Sequence, residues 1–385
     1  MAKVKNTASL LVKLDPVLER HRESVMDFER TRSFDQNSFT QLSELGIFSA
    51  LELAKIEGPE SERGHWLALS CFFEKLAARV LDLPFVSSLA AHGGVAMDLL
   101  DTFGNEKHKQ TYLRPSATGT SIGCVANSES GSSLSLKKIS SQVAWASSGG
   151  QLSGTKSCAT NATIADWFLI SALEPAKSSC LELFIISRQK GVQIKNFAPS
   201  LAGFWTGSTG SIAFSAVPLK ETDRFGKTRE ASAVLRHCFD LERLLMASLV
   251  LGTLRALEQQ AIAAVKSRGP EFQQAQFIQN KIFRIHRTRA ILEGLMEVAR
   301  KRSREPGDTS LAVAKDFLCN GVVEAAEAWV ELEGGRALCT DHPAQKVLRD
   351  FQMLRFFGGT AELQKTVCVQ NLISAAELSQ KVKAA

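Results

Sequence analysis

Gln142-Val143-Ala144-Trp145, then Gly149-Gly150, then Gly154-Thr155-Lys156-Ser157-Cys158-Ala159-Thr160-Asn161, and Trp167 to Ser171 form the stretch whose reading decides the fold. Short apolar runs alternate with polar residues, and glycines separate them. That period of two belongs to strands that cover a core with one face. Leu181 to Ser187 and Ile212 to Val217 repeat the pattern, with Lys190-Gly191 as a further turn signal. From Ile122 to about Phe225 the chain is rich in Ser, Gly and Thr. Several short strands joined by such turns predict a small barrel or sandwich.

On both sides of this region the period changes to three and four. Asn37 to Leu53 and His65 to Leu83 carry helical apolar spacing, with Pro84 and Gly93-Gly94 punctuating the connections. Phe103 to Gln110 opens another amphipathic helix that closes near Pro115. Beyond Glu230, Leu235 to Lys266, Phe272 to Arg302, Leu311 to Leu332 and Pro343 to Phe357 read as four helices of an antiparallel bundle. The expected class is α+β: an N-terminal all-α domain over 1–118, a central small β-barrel or sandwich domain over 119–228, and a C-terminal four-helix bundle over 229–385.

Composition excludes several classes. Hydrophobic residues at 44% and charged residues at 22% are ordinary globular usage. No apolar run of the roughly 18 to 20 residues that span a bilayer stands out, so no membrane span is expected. Met1 to Glu19 holds only Leu10 to Val12 as an apolar core, and Asp15 and Glu19 argue against a transit peptide, which points to the cytoplasm. Eight cysteines are scattered singly without a CxxC pair, so neither a disulfide framework nor a metal site is expected, and most should be buried small hydrophobes. The charge of +6 is mild. Arg300-Lys301-Arg302 and Arg304, beside Pro306-Gly307-Asp308, read as a solvated loop or as a contact for an anionic partner such as a phosphorylated thiol carrier. Basic and aromatic residues do not interleave as nucleic-acid modules require. GxGxxG and P-loop motifs are absent.

Further motifs occur in a fixed order: Phe103 to Leu113; Cys124-Val125-Ala126-Asn127-Ser128-Glu129-Ser130-Gly131-Ser132-Ser133-Leu134; Gly154 to Asn161 with Ala165-Asp166-Trp167; Gly203 to Phe214, with Gly207 in place of a serine; Gly334-Gly335; Arg349-Asp350; and Phe357-Gly358-Gly359-Thr360-Ala361-Glu362-Leu363-Gln364. In this order, from about Leu42 to Ile373, the chain resembles the acyl-CoA dehydrogenase family. The resemblance implies FAD as cofactor and α,β-dehydrogenation of an acyl thioester, bound to CoA or to a carrier protein. It also implies oxygen or an electron-transfer partner as acceptor, and a homo- or hetero-oligomer.

That chemistry needs a base for the α-proton, donors on the thioester oxygen and an oriented flavin. The family's commonest base position corresponds to Gly358, which has no side chain. A minority of the family carries the base within an Asp-Leu-Glu-Arg pattern, and here Phe239-Asp240-Leu241-Glu242-Arg243 stands at that place. Glu242 is therefore the candidate base, among Leu241, Leu244, Leu245, Met246 and Leu249, whose desolvation would raise its pKa. The other reading of Glu242 or Asp240 is an ion pair with Arg243. Gly358 keeps its N–H as an oxyanion donor, or is a loop glycine. By resemblance, Phe239, Arg243 and Ser132 lie toward the substrate. Ala126, Ser132, Cys158, Thr160, Gly334, Gly335, Thr360, Glu362 and Gln364 lie toward the cofactor. Without the resemblance, Thr360, Glu362 and Gln364 read as a helix cap and a solvated face. Ala126 replaces a threonine, Cys158 a tryptophan, and Glu331 the glutamine before Gly-Gly. The Arg-x-x-Phe-Gly motif is missing, with Arg268 and Phe272 at the wrong spacing. These departures keep open a second reading, a non-catalytic or half-site subunit of a hetero-oligomer with weakened FAD binding.

Overall fold

The computed structural model describes residues 7–51, 62–131, 139–175, 180–189, 191–197, 200–227, 230–302 and 308–384. Helices Thr7–Thr31, Gln36–Glu44, Glu62–Val80 and Leu83–Phe103 precede a sheet, and helices Ala231–Lys266, Gln276–Arg302, Ser310–Asn320, Val323–Glu333, Pro343–Met353 and Ala361–Ala384 follow it. The alternating runs form one mixed sheet: β1 (Gly123–Ala126), β2 (Gln142–Ala146), β3 (Gly149–Ala159), β4 (Trp167–Glu174), β5 (Cys180–Ser187), β6 (Val192–Asn196), β7 (Gly210–Leu219) and β8 (Arg224–Phe225). The strand order is β6-β7-β3-β2-β4-β5-β8, and β1 lies parallel to β4 off that path.

β4 shows why the central run is almost continuously apolar. Phe168, Ile170 and Ala172 enter a core belonging to the sheet alone, together with Phe184 and Ile186 of β5. Their neighbours Trp167 and Leu169, with Leu183 and Ile185, face the opposite way into the large core shared with the helices. Successive side chains leave opposite faces of a strand, so a strand covered on both faces is apolar at every position.

Gly93-Gly94 corrects one expectation. They do not end a helix but lie inside Leu83–Phe103, in a π-turn over Ala90–Ala96. A Cβ on Gly94 would stand 2.4 Å from Leu245 Cδ1, and one on Gly93 would stand 2.7 Å from Phe48 Cδ1. The glycines let neighbouring side chains approach the helix axis, and Pro84 fits the first turn, where its missing N–H costs nothing. Leu83–Phe103 is also the one helix among the described residues long and apolar enough to cross a bilayer, and 94% of its apolar 18-residue window is buried within the fold.

The bundle differs from its reading in two ways. The segment 311–332 is two helices, parted at Asn320-Gly321-Val322, and a further helix runs from Ala361 to Ala384. The basic cluster is not a solvated loop where it is described, because Arg300, Lys301 and Arg302 form the last turn of Gln276–Arg302. Cations there complement the carbonyl end of the helix dipole. Arg300 also turns inward, donating to Ser70 Oγ at 2.7 Å and Glu74 Oε2 at 2.5 Å. Of the cysteines, only Cys124, Cys238 and Cys319 are buried, while Cys158 and Cys339 are exposed. The expectation of mostly buried thiols therefore does not hold.

Candidate active site

Ala231–Lys266 is buried along most of its length, with Leu241, Leu244, Leu245 and Leu249 in the core. Glu242 projects from this helix toward the segment after Pro343–Met353, and there it meets Gly358. A Cβ on Gly358 would lie 4.0 Å from the Glu242 carboxyl carbon, 3.9 Å from Arg243 Cγ and 3.6 Å from Lys315 Cε. The two positions that the sequence singles out for the base thus converge on one point, although 115 residues separate Arg243 from Gly358 along the chain. Gly358 has φ +62°, a left-handed conformation that suits glycine.

The ion pair expected as the alternative role falls to Asp240. Arg243 Nη1 donates to Asp240 Oδ1 at 2.8 Å, and its Nε makes a long contact of 3.5 Å with Gly358 O. Glu242 has no hydrogen bond or ion pair among the described residues, and neither does the N–H of Gly358. Burial pushes the Glu242 carboxyl above its ordinary value, and the charges of Arg243 and Lys315 pull it part of the way back. Some of its surface stays accessible although protein encloses it on most sides. An unpaired, desolvated carboxylate beside an unpaired backbone donor can take a proton from one atom while hydrogen bonding stabilises charge on another.

Gln364 fixes the back of this corner. It is fully buried and donates from Nε2 to Gly358 O at 3.3 Å. Thr360 Oγ1 accepts from Leu363 N at 3.4 Å and caps the helix Ala361–Ala384, while Glu362 faces solvent and pairs with Lys365 at 2.8 Å. Phe239 is partly buried against the helical core. The sheet reaches the same corner through the loop before β7. Phe204 stacks on Phe357 with ring centroids 4.7 Å apart, and its N–H donates to Asp350 Oδ1 at 2.8 Å.

On the sheet side, the methyl of Ala126 belongs to the sheet core, so only its backbone is offered outward. Cys158 is exposed with φ +54°, in a bulge between Lys156 and Ala159. Thr160 is half-buried in the turn that follows. Asn161 holds that turn, donating to Ser88 O at 2.9 Å and accepting from Ser208 Oγ at 2.8 Å. Ser132 lies outside the described residues. Asn127, directly after β1, has a buried Oδ1 without a partner. A flavin ring edge carries both an N–H donor and carbonyl acceptors. The lone Asn127 Oδ1 and the Thr160 hydroxyl, which has no partner among the described residues, fit such a group.

Gly334 and Gly335 form a separate, exposed cluster with open space around them. Arg268 sits beside them, donating to Leu332 O at 2.9 Å and Glu333 Oε2 at 3.2 Å, with its guanidinium 4.8 Å from the Phe272 ring centroid. Glu331 is neutralised by Lys281 at 2.7 Å and Arg284 at 3.0 Å. Sequence reasoning missed Lys315 and Asn127 as members of the site. Lys315 lies between Leu311 and Leu318 at spacings of four and three, and a lysine on the apolar face of a helix was the available signal. Asn127 had none beyond its place after a strand.

Models of the acyl-CoA dehydrogenase N-terminal and C-terminal domains match residues 15–120 and 232–373. The chain is similar to benzylmalonyl-CoA dehydrogenase of Aromatoleum aromaticum, 23% identical over 92% of this chain and 94% of that protein. It is also similar to the short-chain specific acyl-CoA dehydrogenase of Clostridium acetobutylicum, 25% identical over 72% and 76%. Among solved structures, butyryl-CoA dehydrogenase from Megasphaera elsdenii superposes with a TM-score of 0.84 at 20% identity, covering 97% of this chain and 99% of that one. The prolyl acyl carrier protein oxidase AnaB gives 0.83 at 20% identity over 94% and 98%.

Proposed function

The chain belongs to the acyl-CoA dehydrogenase family of oxidoreductase flavoenzymes, and on that premise we propose that it is an FAD-dependent α,β-dehydrogenase of acyl thioesters with Glu242 as its base. The observation that carries this reading is the pairing of the free Glu242 carboxylate with the free N–H of Gly358. Glu242 takes the α-proton. Gly358 N–H donates to the thioester oxygen as negative charge grows there, a role that needs no side chain. Arg243 pairs with Asp240 and makes no ion pair with Glu242, although its charge still favours the ionised carboxylate. Asn127, Thr160 and Gln364 are the residues that would hold FAD, which when bound supplies the acceptor for the β-hydride. Both CoA and carrier-protein thioesters suit this proposal, since the names of the similar proteins include one of each.

A second reading, a half-site subunit, draws on Arg268, whose donors are already engaged by Glu333 and Leu332 O. Titrating the purified protein with FAD and recording its visible spectrum separates the two. The enzyme reading expects bound-flavin bands from the chain alone, in wild type and in Glu242→Gln alike. A chain that takes up FAD only when a second subunit is added supports the half-site instead.

A further inference from the structure

Lys315 is the least expected charge in the protein. Only 1% of it is exposed, and no carboxylate among the described residues comes within ion-pair distance of it. A buried ammonium normally has an anionic partner, because leaving water uncompensated is expensive. Instead its Nζ donates to Leu354 O and contacts Cys319 Sγ at 3.4 Å. Its Cε and the Glu242 carboxyl carbon both lie within 4.0 Å of the point where a Cβ on Gly358 would stand.

We infer that Lys315 is a positioning residue for the proton-abstracting centre: it ties the 354–359 turn to the Ser310–Asn320 helix and holds Glu242 in its ionised form. The inference rests on the reading of Glu242 as base. One Nζ donor goes to Leu354 O at the start of the turn that presents Gly358, and another goes to Cys319 Sγ on the same helix, whose thiol in turn reaches Leu354 O at 3.9 Å. The Lys315 charge acts on Glu242, and among the described residues it is the cation outside the helix of Glu242 that does so. The titratable and charged groups that bear on Glu242 and its neighbours are Cys238, Asp240 and Arg243 on its own helix and Lys315 and Cys319 on the facing helix, while Arg355 lies on the turn beside Cys319. Arg243 is engaged by Asp240, and Arg355 donates to Cys319 O at 2.9 Å. Arg243 acts on Glu242 more strongly but is paired with Asp240, whereas Lys315 has no carboxylate partner among the described residues. Burial lowers its own proton affinity, as the absence of a close anion requires.

The test follows the Glu242 carboxyl carbon by NMR in full-length protein labelled with ¹³C-glutamate, its resonance assigned by its loss in Glu242→Gln. In Lys315→Met the titration midpoint moves up by roughly one pH unit, a tenfold change in the ratio of ionised to protonated carboxyl at a given pH. Lys315→Arg leaves it near the wild-type value. Where substrate turnover is available, the acid limb of the kcat/KM–pH profile shifts by the same amount. Should the methionine variant fold poorly, Lys315→Gln keeps hydrogen-bonding capacity without charge and is expected to show the same shift. An unchanged midpoint in the neutral variants overturns the inference, because loss of a merely structural tie lowers stability without moving the midpoint. Undiminished turnover in Glu242→Gln overturns the base assignment instead, and the midpoint comparison remains independent of it.

Discussion

Raising the pH from 6.5 to 9 should destabilise this protein through one histidine. His21 is 1% exposed, with Nδ1 at 2.8 Å from Asp35 Oδ2 and Nε2 at 2.9 Å from Asp82 Oδ2. Both ring nitrogens face carboxylates, so both must donate, and the ring is a cation. Burial opposes that charge, but the two carboxylates outweigh it and raise the histidine to about 9. Asp82 also meets Lys346 at 3.0 Å and accepts from Thr206 Oγ1 at 2.6 Å, and Lys346 pairs with Asp350 at 2.6 Å. One network thereby joins the first helix, the loop before β7 and the helix that leads to Gly358. A group whose pKa rises on folding stabilises fully below its unfolded value and loses that stabilisation as pH climbs through its folded value. Between 6.5 and about 9 the loss is on the order of 3 kcal/mol. Urea unfolding followed by circular dichroism at pH 6, 7.5 and 9.5 should show the midpoint falling over that window, and His21→Gln should remove most of the slope. Stability independent of pH over this range, or an unchanged slope in the variant, would refute the cationic His21.

Two substitutions probe the helix that carries Glu242 and the turn that faces it. Gly94→Ala places a methyl 2.4 Å from Leu245 Cδ1 and should cost about 1–3 kcal/mol. Adding Leu245→Ala should recover part of that loss in calorimetry, and strictly additive costs would show that the two sites do not press on each other. Gly358→Glu has room for a Cβ but strains a residue at φ +62°, for about 1–2 kcal/mol. Its carboxylate beside Glu242 should move the acid limb of the pH–rate profile upward, as like charges do.

How far the sequence carried depended on whether a feature is local. The period of two in Gln142–Trp145 and the short apolar run Trp167–Ser171 are properties of neighbouring residues, and they named the sheet. It could not show that β4 is covered on both faces, because the helices on its outer side lie far away in the chain. Gly93-Gly94 looked like an interruption, and only Phe48 and Leu245, distant in sequence, explain them. The site follows the same rule. Glu242 and Gly358 were legible through resemblance to a motif. Their convergence, and the release of Glu242 by the Arg243–Asp240 pair, arise from tertiary packing. Lys315 completes the corner from a third helix, where no local pattern announces a partner.

The central claim is tested most directly by mixing FAD-reconstituted protein with CoA- and carrier-bound acyl thioesters without oxygen and following the flavin absorbance. The account predicts bleaching by wild type, and bleaching slower by roughly 10² to 10⁴ in Glu242→Gln with FAD still bound. A Glu242→Gln protein that bleaches at the wild-type rate would contradict it.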